Sequence, residues 1–411
     1  MGERILIVGA GQAGMQIAVS LRDAEFDGTI TMIGEEAHGP YQRPPLSKAF
    51  LAGEADEESL ELRSPAFYVE NNIVVITDEQ VVDVRWDAAH GTAITNTGRE
   101  VAFDKLALTT GADARPMDVE GVDLDGVLYL RGLADAKALK SCWDEAANVV
   151  VIGGGFIGLE VAAVARKNGK TTTIVHRSER LMSRVVSPTT SKFFKEAHER
   201  RGTTVLLNTQ VSRFVGEGGK VTGVELADGT VIPADIVMIG IGVIPRGDLA
   251  AKLGLELKNE SIVVDEFART SDARIVAAGD AVVMPHPLTG EGQVALESVQ
   301  NAVDQAKVAA KTLMGQRETY HALPWFWSDQ ADIKLQIAGL STGYDQTVLR
   351  GNPDEDSFSV LYYKNGRLLA IDCVNQPVDF MAARRCLTDG QTIDPVAAAD
   401  SSVKLKTLIT N

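Results

Sequence analysis

Two glycine-rich turns, each set between a buried-strand pattern and a helix pattern, constrain this chain more than any other feature. Ile5–Val8 is an aliphatic run without polar interruption, as a strand covered on both faces requires. It leads into Gly9-Ala10-Gly11-Gln12-Ala13-Gly14 and then into helix-forming residues. In such a G-x-G-x-x-G turn the first glycine permits the tight bend and the second lets backbone approach a pyrophosphate. The third lets the helix pack closely on the strand. The helix N-terminus then offers free N–H groups and a positive dipole end to the phosphates. A second strand, Thr29–Ile33, is followed by Glu35, an acid placed to receive a ribose hydroxyl.

The device recurs. Val149–Ile152 runs into Gly153-Gly154-Gly155-Phe156-Ile157-Gly158, followed by Leu159-Glu160-Val161-Ala162-Ala163. A further strand, Thr172–Val175, ends at His176. One glycine turn is weak evidence, but two with proper flanks rarely arise by chance. They imply a protein that brings two nucleotide cofactors together.

The 411 residues leave room for two or three domains with sizeable cores. No apolar run reaches membrane-spanning length, since the richest, around Val149–Val164, is broken by glycines and Glu160. The chain enters a strand at once, so no signal peptide and a cytoplasmic location are expected. A net charge of −16 argues against nucleic acid or an anionic membrane as a partner. Cys142, Cys373 and Cys386 are odd in number and lack C-x-x-C spacing, so reduced structural thiols are expected, and no metal site.

In chain order, Gly39-Pro40-Tyr41-Gln42-Arg43-Pro44-Pro45-Leu46-Ser47-Lys48 is a rigid, proline-fixed stretch. Its two cations either face a pyrophosphate or flavin-like ring, or decorate a loop ahead of a helix at Lys48–Leu51. Short strands are expected within Ile73–Val84, at Thr92–Thr95 and at Val101–Phe103, and Leu106–Thr110 ends in Gly111, where backbone can approach a ligand. A helix is expected at Leu133–Ala147. After the second turn come a helix, Ser187–Arg201, and strands Thr203–Leu207, Val221–Leu226 and Ile236–Gly242. Ile275–Gly279 repeats the pattern of strand then small residue and ends on Asp280, which either accepts hydrogen bonds from a polyol or caps the next segment. A helix, Val299–Leu313, follows. Pro324-Trp325-Phe326-Trp327-Ser328-Asp329-Gln330 opens a last section with strands at 334–339, 358–363 and 368–374 and a helix at Asp379–Leu387.

The order GAGQAG, YQRPPLSK, TTG, GGGFIGLE, IVAAGDA, ESVQNA and PWFWSDQ resembles the FAD-dependent ferredoxin reductases of bacterial oxygenase systems, relatives of putidaredoxin reductase with the glutathione-reductase fold. The likeness runs from about Arg4 to the end. It implies an α/β protein with two Rossmann-like dinucleotide-binding domains and a C-terminal α+β domain. The FAD domain would be discontinuous, 1–112 and 246–322, with an NAD(P)H domain at 113–245 and the C-terminal domain at 323–411. By the same resemblance Gly9, Gly11, Gly14 and Glu35 hold the ADP half of FAD. Arg43, Lys48, Thr110, Gly111, Arg131 and Asp280 line the rest, with Pro45 against the ring. The helix starting at Ser298 and Val299 aims its dipole at the flavin. Gly153, Gly155, Ile157, Gly158 and Glu160, with His176, Arg177, Arg184 and Gly242, receive the nicotinamide nucleotide. Lys48 and Glu160 form the pair near flavin N5, and Glu297 and Trp327 flank the nicotinamide. Hydride passes from nicotinamide to flavin, so no protein nucleophile is required. FAD is expected to be held without a covalent bond, because no His or Cys lies in the matched flavin segments.

The implied function is transfer of electrons from NADH or NADPH through FAD to a [2Fe–2S] ferredoxin, and indirectly to a cytochrome P450 or other oxygenase. An NAD(P)H oxidase or disulfide reductase on the same fold is a second reading, weakened by the missing cysteine pair. A redox-gated binding protein resembling apoptosis-inducing factors is a third. Two departures from the family pattern stand out. His176-Arg177, with Arg180 near, replaces the usual Glu that accepts the ribose 2′-hydroxyl, which leaves coenzyme choice open with a lean to NADPH against nearby Glu179. Arg246 stands where Asn is usual. The chain is acidic, so docking of an acidic ferredoxin needs a local basic patch, for which Lys307, Lys311, Lys334, Arg384 and Arg385 are candidates, with Trp327 between flavin and surface.

Overall fold

The fold is that of a computed structural model that describes residues 2–86 and 90–411. The chain divides into two compact units. The first comprises Met1–Gln42, Glu57–Asp113 and Val243–Pro324, and the second Arg43–Asp56, Ala114–Gly242 and Trp325–Asn411.

The first unit is built on a five-stranded parallel sheet ordered Ile275–Ala277, Lys105–Leu108, Arg4–Val8, Thr29–Ile33, Ile73–Ile76. The uninterrupted aliphatic run at Ile5–Val8 is central and buried, as covering on both faces demands. Helices Gln12–Asp23 and Val299–Leu313 bury the apolar faces that their spacing defines, with Ile17, Leu21, Ala306 and Leu313 inside one core. Ser298 caps the second helix, its hydroxyl accepting from Asn301 N at 3.1 Å. An antiparallel three-stranded sheet, Val81–Trp86, Gly91–Thr95 and Glu100–Phe103, belongs to the same unit.

The second unit holds another parallel sheet, ordered Thr204–Leu206, Thr171–Val175, Asn148–Ile152, Ile236–Ile239, Val127–Tyr129. It also holds an antiparallel sheet ordered Trp325–Gln330, Ile333–Gly339, Arg367–Val374, Ser357–Lys364, Gln346–Asn352, flanked by helix Pro377–Thr388. The two sheets share one apolar core, in which Val149, Val151 and Ile236 join Leu335, Ile337 and Phe358. The fold class is therefore as expected: two Rossmann-like α/β bodies and a C-terminal α+β part.

One local expectation fails for a physical reason, and three strands form where the sequence pattern predicts none. Lys48–Leu51 is not a helix. Pro44 and Pro45 offer no N–H, and the segment closes instead as a 3₁₀ turn over Pro44–Ser47, with Leu46 N bonded to Arg43 O and Lys48 N to Pro45 O, each at 3.0 Å. Strand Val211–Glu217 was not expected, because it buries only Phe214 and so carries no alternating pattern. Trp325–Gln330 is a strand, a conformation its aromatic residues favour, and Gln346–Asn352, polar at both ends, is an outer strand of the same sheet.

A buried carboxylate tunes the stability of the second unit. Asp372 is fully buried and accepts hydrogen bonds from Thr190 Oγ1 at 2.8 Å, Ser187 N at 3.4 Å and the Tyr362 hydroxyl. Burial pushes its pKa up from 3.8 to about 6, against the lowering effect of those donors. A folded-state pKa above the unfolded one means stabilisation that is complete below pH 3.8 and lost as pH rises through 6. Between pH 5 and 7.5 this group should cost the wild type on the order of 1 kcal/mol, and D372N should lack that slope. Urea unfolding of both proteins across this range checks it; parallel stability curves would refute it.

Candidate functional site

The first glycine turn has the geometry of a phosphate cradle. Gly9 sits at φ +112, and a Cβ there would lie 2.1 Å from Thr109 O. A Cβ on Gly14 would lie 2.0 Å from Gly9 O, so the third glycine is the close-packing one. A Cβ on Gly11 would meet nothing within 4 Å, leaving open space before the helix start. No side chain caps that helix and no acid stands in its first turn, so the N–H groups are available to an anion. Around the turn the unit gathers Thr109, whose hydroxyl donates to Gly9 O at 2.9 Å, and Gly279, whose added Cβ would lie 3.3 Å from Ala13 Cβ. Thr110, Gly111 and Asp280 directly follow these two residues in sequence. Thr110 Oγ1 donates to Arg246 O at 2.7 Å.

Glu35 is exposed at the end of its strand and receives a two-pronged contact from Arg246, with Nη2 at 2.7 Å from Oε2. The arginine in place of asparagine now has a physical account. It clamps the acid expected to meet the ribose, and Asp113 lies 3.4 Å from its Nε.

The second turn repeats the cradle. Gly153, at φ +117, would place a Cβ 2.2 Å from Gly240 O, and Gly158 would place one 2.6 Å from Gly153 O. Gly155 again faces open space, beside exposed Ile157. At the end of strand Thr171–Val175, His176 Nδ1 accepts the Gly154 N–H at 3.1 Å. Its Nε2 must then carry the proton, and this atom is buried without a partner among the described residues. Burial lowers the pKa of the ring, so it is a neutral donor. Arg180 does not serve as a second cation, because its guanidinium is bonded to Val186 O, Ser183 O and Ser191 Oγ. Arg177 and Arg184 are exposed, and Arg184 Nη2 lies 3.8 Å from where a Gly242 Cβ would be.

In the second unit the same helix carries the buried acid of an ion pair whose cation, Lys48, comes from the proline turn and is partly exposed. Glu160, on the helix that Gly155 starts, is 2 % exposed and meets Lys48 Nζ at 2.7 Å through Oε2. Ser47 Oγ donates to the same oxygen at 2.5 Å and Ser328 Oγ to Oε1 at 2.7 Å. The proline turn thus delivers Ser47 and Lys48 together to one carboxylate. Arg43 donates to Arg131 O at 2.8 Å, tying that turn to the strand end at Tyr129. Pro45 is half-buried, and Trp327 stacks near Trp325, their rings 5.4 Å apart. Glu297 is exposed just before the Ser298 cap in the first unit. Ser47 and Ser328 are functional residues that the sequence motifs do not single out. Their signal was adjacency, next to Lys48 and on the strand after Trp327.

The candidate basic patch is weaker than expected. Lys307 pairs with Asp304 at 2.9 Å, Lys311 with Glu318, and Arg385 with Asp389 at 3.5 Å, so local acids offset these charges. Arg384 packs over the Trp325 ring at 5.1 Å. The three cysteines are free, and burial pushes their thiols up, Cys386 to about 11. Thiols of this kind suit packing better than disulfide exchange. No helix among the described residues is long and apolar enough to cross a membrane, and no cluster among them could hold a metal.

Two parallel sheets, each with an open glycine cradle at a helix start, define a two-dinucleotide oxidoreductase fold. Residues 3–306 match the pyridine nucleotide-disulphide oxidoreductases, and residues 325–409 match a reductase C-terminal family. The chain belongs to the pyridine nucleotide-disulphide oxidoreductase family. It is 45% identical over 405 residues to rhodocoxin reductase of Rhodococcus erythropolis, covering 98% of this chain and 94% of that protein. The structure of the ferredoxin reductase for the CYP199A2 system from Rhodopseudomonas palustris is similar at TM-score 0.95 and 41% identity, over 99% of this chain and 100% of that one. Putidaredoxin reductase, in its covalent complex with putidaredoxin, is similar at TM-score 0.94 and 39% identity, over 99% and 98% of the two chains.

Proposed function

We propose that the chain is an FAD-dependent ferredoxin–NAD(P)+ reductase that passes electrons from a nicotinamide coenzyme to a [2Fe–2S] ferredoxin serving a cytochrome P450 or other oxygenase. The observation that carries this reading is the pair of open cradles at Gly11 and Gly155, with buried Glu160 on the second cradle's helix paired to Lys48. Full-length similarity to reductases of such systems supports it. FAD, when bound, takes a hydride from the coenzyme and hands electrons on singly.

The residues present fit both cofactors. We assign residues 1–112 and 246–322 to the FAD domain, 113–245 to the NAD(P)H domain and 323–411 to the C-terminal domain, with Arg43–Asp56 packing in the second unit. Gly9, Gly11 and Gly14 admit the FAD pyrophosphate, and Glu35, oriented by Arg246, accepts from the adenosine ribose. In the first unit Thr110, Gly111, Asp280 and the helix N-terminus at Ser298 and Val299 are the flavin-facing candidates; within the second unit they are Arg43, Pro45, Lys48 and Arg131. Gly153, Gly155, Ile157, Gly158, Arg184 and Gly242 seat the coenzyme, whose ribose end lies at the strand end of His176 and Arg177. Lys48 and Glu160 hold a fixed charge distribution at the reacting centre; Glu297 in the first unit and Trp327 in the second are each a candidate for contact with the nicotinamide. The protein is cytoplasmic.

The test is acceptor dependence in the purified yellow protein. NAD(P)H oxidation should rise at least about tenfold on adding a [2Fe–2S] ferredoxin, read through cytochrome c. Coenzyme consumption that ignores ferredoxin and follows oxygen would replace this reading with an oxidase; slow consumption indifferent to any acceptor would favour a redox-gated binding protein.

A further inference from the structure

A hydrogen-bond chain in the second unit leads away from Glu160. Ser328 Oγ donates to Glu160 Oε1 at 2.7 Å, Gln330 Nε2 donates to Ser328 Oγ at 3.2 Å, and His198 Nε2 lies 2.9 Å from Gln330 Oε1. All four side chains are at most 4 % exposed. Ser328 and Gln330 stand two residues apart on one strand, so they share a face. His198 comes from the helix Pro188–Arg200.

The direction of the chain follows from its chemistry. A carboxylate opposite Lys48 only accepts, so Ser328 must give its single proton to Glu160. The serine oxygen then accepts from the amide nitrogen of Gln330, which turns the amide oxygen toward His198. The imidazole Nε2 must therefore carry the proton. Burial lowers the His198 pKa, helped by Arg201 and opposed by the Gln330 bond, so the ring is neutral at pH 7. Its outer end borders a pocket of about 330 Å³ that Arg166, Arg201, Thr203 and Asp332 also line. An amide does not relay protons without tautomerising, so this array orients a charge and does not conduct one.

We propose that Ser328, Gln330 and His198 are positioning residues: Ser328 donates to Glu160 Oε1 and is itself held in place by Gln330 and, behind it, His198, leaving Oε2 fixed on Ser47 and Lys48. This rests on the reading of Lys48 and Glu160 as the pair at the reacting centre. The alternative is a buried network that serves packing only. A packing role predicts lost stability, whereas a positioning role predicts a slower hydride step in protein that is folded and fully loaded.

The experiment follows flavin bleaching by NADH in stopped flow, without ferredoxin, in S328A, H198L and H198Q. The limiting rate should fall about tenfold in S328A and about threefold in H198L. H198Q should return close to wild type, because its amide can replace the Nε2 donor. The Kd for NAD+ by calorimetry should stay within about twofold. In ¹⁵N NMR, a histidine resonance lost in H198Q should be a fixed Nε2–H tautomer. Wild-type rates in folded S328A and H198L, an Nδ1–H tautomer, or loss of melting temperature and rate that H198Q fails to rescue would each overturn the proposal. Since ferredoxin is absent from this assay, failure to find an acceptor would remove the assigned function and leave the bleaching result to decide the chain.

Discussion

Gly11→Leu should yield a folded but colourless protein, and Gly155→Leu a yellow one that NAD(P)H no longer bleaches. The expectation comes from what each side chain would meet. Neither position has an atom within 4 Å of an added Cβ, so the fold accommodates the change. The same open space is where a pyrophosphate must approach backbone N–H groups, and a leucine fills it. Exclusion on this scale should weaken the affected cofactor by more than about a hundredfold, roughly 3 kcal/mol or more. The third glycines behave differently. A Cβ at Gly14 would sit 2.0 Å from Gly9 O and one at Gly158 2.6 Å from Gly153 O, and neither backbone carbonyl can move without breaking the strand-to-helix turn. G14L and G158L should therefore fail as folded proteins, read by solubility and melting. Full FAD content in G11L after gel filtration, or normal bleaching of G155L, would show that the cradles are not the cofactor sites.

Where local pattern and local chemistry agreed, the sequence was legible. The strand–turn–helix units at Arg4–Asp23 and Asn148–Lys167 follow from aliphatic runs and glycine spacing alone, because each turn is made by residues adjacent in the chain. The helix Val299–Leu313 is likewise bounded by its Ser298 cap. What stayed hidden was tertiary. The segment Arg43–Asp56 belongs with the second unit, where Leu51 joins the core, and nothing in its composition announces that. Glu160 drew attention from its motif, but the residues that saturate its oxygens come from positions 47, 48 and 328, which no spacing connects. Arg246 was visible as a departure, yet its partner Glu35 is more than two hundred residues away in sequence. Edge strands such as Val211–Glu217 were missed because a strand with one buried residue has no period to read.

The coenzyme site carries the second large effect. The usual acid at the end of the second nucleotide strand is missing, and His176 takes its place by accepting the Gly154 N–H. That leaves one neutral donor, His176 Nε2, facing inward, and one exposed cation, Arg177, without a partner among the described residues. Arg180 is committed to backbone carbonyls and cannot add a second charge. A 2′-phosphate would therefore meet one exposed guanidinium, that of Arg177, and a 2′-hydroxyl would meet no repulsion. Both coenzymes should be used, with kcat/KM values within a hundredfold of each other. A charge-assisted contact is worth roughly 1.5–3 kcal/mol, and solvent screening of an exposed arginine puts Arg177 at the lower end. R177T should accordingly reduce kcat/KM for NADPH about tenfold and leave NADH within about threefold. Adding His176→Glu to R177T should repel the 2′-phosphate and make the enzyme effectively NADH-specific. A wild type that already rejects NADPH by more than about a hundredfold, or an R177T protein whose two coenzymes change in parallel, would show that this strand end does not read the ribose phosphate.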